Sequence, residues 1–253
     1  MAQTWDHVDG PAGTLAVHAV ASPGASPAPD GALVVVHNFP VVPASAATTG
    51  RSLPALADRI AAESGWPVLC GCLRGVGASE GDFSLAGWLE DLRRLVDVAV
   101  AGGAGRGVWL VGFGTTGALA FCLAAIDDRV RGVATLGSPS SFDDWAQDLP
   151  GMAAFARTAG VIRREGFPED IAGWGAAFST LRPAEAAAAM GTRPVLIVHG
   201  AEDDAVPVSD ARILAEAAGA GAELRILPGA GHRLRADPRA VALLVGWLER
   251  QSP

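Results

Sequence analysis

Hydrophobic positions fall in short runs separated by longer amphipathic stretches, and their order predicts the order of elements. Thr4 to Asp9 and Thr14 to Val20 alternate imperfectly about Gly10-Pro-Ala-Gly13, which predicts a β-hairpin on the edge of a sheet. A Pro/Ser/Gly-rich connector follows from Ala21 to Gly31. Ala32 to Val36 is an unbroken apolar run closed by His37-Asn-Phe-Pro40, so it reads as a strand buried on both faces, with a ligand expected at its C-terminal end. Leu53 to Ser64 has helical spacing, and Pro67 to Leu73 is a further buried strand that ends in Arg74-Gly-Val-Gly-Ala-Ser79. Leu85 to Val100 carries Leu89, Leu92, Val96 and Ala99 on one face and its charges elsewhere, the signature of an amphipathic helix. Val108 to Val111, with a helix over Ala118 to Ile126, and the strand Val130 to Leu136 continue the alternation. Strands alternating with helices in this way predict a parallel sheet with right-handed crossovers.

The regularity pauses from Ser141 to Met190. No strand-like run occurs there, but Phe142, Trp145, Phe155, Phe167, Trp174 and Phe178 do, bulky side chains suited to the surroundings of a pocket. The segment reads as a helical insertion over the C-terminal edge of the sheet, against the alternative of an ordinary pair of surface helices. Pro194 to Val198 resumes the strands, Ser209 to Ala218 is a helix, Glu223 to Leu227 the last strand and Pro238 to Arg250 the closing helix. At 253 residues, 50% of them hydrophobic, the chain suits one α/β core (residues 1–140 and 191–253) with one small helical cap (141–190).

Charge and composition narrow the partners. A net charge of -8 and a pI near 5.1 disfavour nucleic acid or an anionic membrane, both of which call for a basic face, and leave a small molecule as the expected ligand. Nothing in the sequence fixes an oligomeric state. No N-terminal stretch reads as a signal peptide and no apolar run approaches the roughly 20 residues of a membrane span, so a cytoplasmic protein is expected. Cys70, Cys72 and Cys122 lie in apolar runs as reduced core residues. All the basic side chains are arginine, which removes a lysine nucleophile or Schiff base. No close group of His, Cys, Asp and Glu has ligand spacing, and neither a metal nor a cofactor is expected.

The chemistry centres on Val108 to Ala120, an apolar run broken by three glycines: a strand ending in Gly112, a turn through Gly114 and a helix starting near Thr115, which present either a nucleophile or a phosphate-binding loop. Gly112-Phe-Gly114-Thr-Thr-Gly117 matches the glycine fingerprint of dinucleotide binding. That motif also wants an acid about 20 residues on to hold a ribose hydroxyl, and the next strand ends Ala134-Thr-Leu-Gly137 without one. A Walker loop fails for want of lysine. Two later loops change the balance: His199-Gly-Ala-Glu-Asp203-Asp-Ala-Val-Pro207 follows one strand and Gly229-Ala-Gly-His232 follows the last. An acid and a histidine so placed would meet at the C-terminal edge of the sheet as an orienting carboxylate and an imidazole base.

With those loops, Arg74 to Ser79 and the strand-turn-helix at Gly112, the chain resembles the α/β-hydrolase family over essentially its whole length. The resemblance implies an α/β-hydrolase fold, a mostly parallel central sheet with helices on both faces, and makes Asp203 the triad acid and His232 the triad base, with neighbouring Asp204 a substitute acid. It also exposes a departure. On the family's G-x-S-x-G elbow, Gly114 takes the nucleophile position and Thr116 that of the second glycine, so the serine is missing. Sliding by one residue makes Thr115 an alternative nucleophile but puts Phe113 where the tight turn wants glycine. The backbone N–H groups of Phe39 and Thr115 match the family's oxyanion hole.

Other residues carry plainer readings: Cys70 and Cys72 as core, Ser138 as a turn former, His37 and His199 as structural hydrogen bonders, Arg74 and Ser79 as anchors of their loop, Asp143 and Asp144 as a helix N-terminus. Three functions fit: hydrolysis of a small ester, thioester or amide by a water that His232 and Asp203 activate; ligand binding without chemistry; or a cofactor-free lyase or oxygenase that uses the His-Asp pair as a base.

Overall fold

The structure, a computed structural model, describes residues 5–21, 30–105 and 107–251. The expected connector falls mostly on 22–29 and the expected hairpin begins at Thr4, and these positions lie outside the described residues. An eight-stranded sheet runs in the order β1-β2-β4-β3-β5-β6-β7-β8. Its edge hairpin, β1 (Asp6–Gly10) with β2 (Gly13–Val20), is antiparallel, and β2 joins β4 (Val68–Gly71) antiparallel. All other pairings, through β3 (Ala32–Val36), β5 (Val108–Phe113), β6 (Val130–Leu136), β7 (Val195–Gly200) and β8 (Ala222–Leu227), are parallel.

Burial explains why the inner strands read as unbroken apolar runs. Every residue of β3, β4, β5 and β7 is buried, because helices cover both faces of the sheet. On one side α2 (Leu53–Ser64) packs against α10 (Pro238–Glu249); α3 (Leu85–Ala101), α4 (Thr115–Ala124), α8 (Pro183–Ala188) and α9 (Val208–Ala218) form a second row of neighbours. Helix α4 is buried at all ten positions, so its sequence shows no polar stripe and periodicity alone misplaces its start. It begins at Thr115, where the strand-turn-helix reading of the glycine turn puts it and three residues before the run from Ala118, because Gly114 turns the chain within one residue. A one-turn helix, α1 (Ala46–Thr49), is too short for its periodicity to be read.

Within 141–190 lie α5 (Asp143–Gln147), α6 (Leu149–Ala159), α7 (Ile171–Thr180) and α8, with no strand. The first three pack among themselves, and α7 also packs on α3, whereas α8 sits between α4 and α9. Residues 74–84 anchor this segment: Phe83 N–H donates to Val161 O (2.9 Å), Trp174 Nε1 to Phe83 O (2.8 Å) and Arg163 Nη2 to Ser79 O (2.8 Å). That loop is itself fixed from below. Ser79 Oγ donates to Cys72 O (2.6 Å) and accepts from Ala16 N (2.9 Å), and Asp91, wholly buried, accepts from the Arg74 backbone N–H (2.8 Å), Nε (3.0 Å) and Nη2 (2.8 Å). Arg74 and Ser79 thus anchor their loop, Ser79 through the backbone of Ala16 and Cys72 and Arg74 through the Asp91 carboxylate of α3.

Strand order also places the crevice. The chain passes from β3 to β4 on one side and then returns to β5 on the other side of β3, so the loops leaving β3 and β5 diverge from adjacent strand ends.

Candidate active site

Gly112 and Gly114 shape the turn between β5 and α4 for different reasons. A Cβ on Gly112 would lie 2.4 Å from Gly117 N and 2.5 Å from its Cα, so strand and helix approach only because neither carries a side chain there. Gly114 has φ 54° and ψ -124°, a conformation strained for any other residue. A Cβ on Gly114 would nevertheless meet only ordinary contacts: 3.5 Å to Asn38 Cβ, 3.7 Å to His232 Nε2 and 3.8 Å to His232 Cε1. Thr115 opens α4 and is buried, while Thr116, also buried, donates its Oγ1 to His37 O (2.6 Å) and ties the turn to the end of β3.

His232 comes from the loop after β8, three strands away from β5, a span of roughly 14 Å at about 4.8 Å per strand. The loop runs back over the end of β6, where a Cβ on Gly137 would lie 3.5 Å from His232 Nδ1 and 3.4 Å from Asp203 Oδ2. Asp203 Oδ2 accepts from His232 Nδ1 at 2.9 Å, and its Oδ1 accepts from the N–H groups of Ala205 (3.0 Å) and Val206 (2.9 Å). Burial by itself would raise this carboxyl, but the His232 hydrogen bond and the two amides outweigh it and hold Asp203 below the usual aspartate range. With Nδ1 donating, the neutral imidazole has its lone pair on Nε2, the nitrogen that faces Gly114. Asp204 is exposed, on the cleft wall.

The two buried strand-end histidines serve the scaffold. His199 donates Nε2 to Val206 O (2.9 Å), which holds the Asp203 loop. His37 donates Nδ1 to Asn38 O (2.8 Å) and accepts the Leu73 N–H on Nε2 (2.9 Å), a pattern available only to the neutral ring. Burial lowers its pKa from 6.5 to about 4. Because the unfolded chain protonates near 6.5, the stability gained from a neutral His37 is complete above that pH and is lost as pH falls from 6.5 toward 4, a total of about 3 kcal/mol. Urea unfolding at pH 7 and pH 4 should therefore show a smaller acid loss for His37→Gln than for the parent; equal losses would contradict this.

Phe39 has no hydrogen-bond acceptor for its N–H among the described residues, and its ring is clamped from both sides. Ring centroids lie 5.0 Å from Phe83, 5.6 Å from Trp88, 5.3 Å from Trp145 and 5.7 Å from Phe155. The aromatic residues expected around a pocket thus pack mainly on one another and on Phe39. A cleft of about 870 Å³ opens on the other side of the turn instead, lined by Asn38, Val42, Thr49, Gly114, His232 and Arg235 among others, and by no residue of 141–190. Sequence reasoning missed this wall, because residues 41–52 are Ser/Thr-rich with one short helix and show no period to read. Ser138 is buried with its hydroxyl unpaired, against Gly117. All three cysteines are free and buried, and burial pushes the thiols of Cys72 and Cys122 up to about 12. Among the described residues no group of three or more His, Cys, Asp or Glu converges as a metal site, and no helix is long and apolar enough to cross a membrane.

Comparison with known proteins places this geometry in a class: the chain belongs to the alpha/beta hydrolase family, whose model matches residues 33–243. Among solved structures it is similar to the α/β hydrolase GrgF from Penicillium sp. sh18 (TM-score 0.72, 18% identity, 98% of each chain covered). Est1E from Butyrivibrio proteoclasticus (TM-score 0.70, 19% identity, 98% of this chain and 97% of that one) and an alpha-beta serine hydrolase homologue from Coxiella burnetii (0.65, 20%, 99% and 97%) share the same fold. No curated protein matches the chain.

Proposed function

We propose that the protein hydrolyses a small ester, thioester or amide by direct attack of water, with His232 as general base, Asp203 as its orienting acid and Gly114 at the position a nucleophilic serine would occupy. The observation that carries this reading is the pair itself: Nδ1 held at 2.9 Å by Asp203, and Nε2 turned to a site 3.7 Å away where Gly114 offers no side chain. Water over Gly114 gives its proton to Nε2 as its oxygen bonds to the acyl carbon. The developing oxyanion faces the N–H groups of Phe39 and Thr115, and collapse of the tetrahedral species returns the proton from Nε2 to the leaving group. Without a covalent nucleophile the acceleration is modest, about 10³ to 10⁴ over the uncatalysed reaction. The missing hydroxyl favours a second reading, a binding protein that keeps the cleft and not the chemistry.

Gly114→Ser tests the placement. The turn strains any side chain by about 1–3 kcal/mol, but the contacts around the new Cβ are ordinary, so the variant should fold with reduced stability. It should then react stoichiometrically with a fluorophosphonate at the introduced hydroxyl and gain esterase activity. A folded Gly114→Ser variant that stays unlabelled would show that His232 is not placed to activate a group there.

A further inference from the structure

Arg235 lines the same cleft and lacks the compensation that the other buried cations enjoy. Its Nη1 donates to Thr49 O (2.8 Å), and among the described residues this is the one hydrogen bond its side chain makes. A guanidinium carries five N–H donors, so most of this one goes unused by the protein. The contrast with Arg193 is direct: that residue also has no carboxylate partner, but it donates to four backbone carbonyls. Arg74, buried as well, has Asp91.

No local charge answers Arg235. It forms no ion pair among the described residues, and the groups whose fields it feels are unsuited to balance it. Cys72 titrates at about 12 and stays a neutral thiol, and His37 is held neutral. Arg233 is a second cation on the same loop. Burial, with Arg233 adding to it, lowers the Arg235 pKa, the direction expected of a cation without a counterion. Of the carboxylates on the cleft wall, Asp237 is bound by Arg239 (2.7 Å) and Asp204 pairs with neither arginine. Exposed Val41 and Val42 and buried Leu56 give the cleft an apolar wall beside this cation.

We infer that Arg235 is an anion subsite of the cleft, and that the acyl compound bound beside His232 carries a carboxylate or phosphate group that the Arg235 guanidinium takes up. The inference rests on reading the cleft as the place where substrate reacts. A planar guanidinium binds such groups through paired, charge-assisted hydrogen bonds, and a half-buried cation with spare donors gains most from a ligand that brings its own negative charge. Neutral acyl compounds would leave the charge unanswered and bind more weakly.

Calorimetric titration of the full-length protein at low ionic strength tests this, with succinate, inorganic phosphate and the neutral diamide succinamide as probes. At least one anion should bind and succinamide should not. Arg235→Met should weaken the anion about tenfold or more, and Arg235→Lys, which keeps the charge but not the fork, should fall between. Binding of succinate alone marks a carboxylate ligand, and binding of phosphate alone a phosphoester. If Arg235→Met does not fold, Arg235→Gln takes its place. The proposal is overturned if neither anion binds, if succinamide binds as well as succinate, or if affinity depends on Arg233 and not on Arg235. Calorimetry needs no turnover, so a protein that binds succinate through Arg235 but hydrolyses nothing would sink the hydrolase reading and leave Arg235 as the anion subsite of a binding cleft.

Discussion

Replacement of His232 by alanine is expected to lower kcat/KM on the best substrate of an acyl-ester panel by about 10²-fold, the lower end of what a positioned general base contributes. The ring's Nε2 lies 3.7 Å from where a Cβ on Gly114 would stand, whereas His37 and His199 spend their bonded nitrogens on the scaffold. The fold should survive, because Asp203 keeps its hydrogen bonds from Ala205 and Val206. Asp203→Asn should cost activity through the same route, since an amide no longer stabilises the imidazolium that forms during attack. Activity that is indifferent to His232→Ala in a folded protein would sink the general-base mechanism.

The largest effect on stability is expected at Asp91. Its carboxylate is wholly buried and receives the Arg74 guanidinium through two nitrogens as well as the Arg74 backbone N–H. Asp91→Ala strands the Arg74 amide and leaves the buried guanidinium only the exposed Glu90 carboxylate, 3.1 Å from Nη2, and urea unfolding should show a loss of about 3 kcal/mol. The harm lies in the half-broken pair. Arg74→Met combined with Asp91→Leu should therefore recover much of the loss, because two apolar side chains leave no charge behind. A single-variant loss under about 1 kcal/mol would mean that water reaches Arg74 and that the 74–84 loop is looser than its contacts indicate.

Much of this was legible in the chain because each inner strand is buried on both faces and announces itself as an apolar run. The parallel strands and the loops between them follow from that pattern, the crossover helices from their amphipathic spacing and the edge hairpin from alternation about Gly10-Pro-Ala-Gly13. What the sequence obscured has definite physical causes. Helix α4 is buried all round, so no polar face marks its first turn. The aromatic residues of 141–190 read as a pocket lining, yet rings that can pack edge-to-face against Phe39 and Phe83 do so and fill their space. The cleft wall from Val41 to Ser52 lacked any periodic signal, and Arg235 gave none either, because an exposed arginine would look the same in sequence.

The central claim is that His232 and Asp203 drive hydrolysis by water over Gly114 with no covalent intermediate. Intact-protein mass spectrometry on enzyme quenched during turnover of an activated acyl ester tests it most directly. The account predicts that substrate is consumed in a His232-dependent manner while the wild-type mass stays unchanged, both during turnover and after treatment with a fluorophosphonate. A stoichiometric acyl or phosphonyl adduct on the wild-type chain, at Thr115 above all, would contradict it.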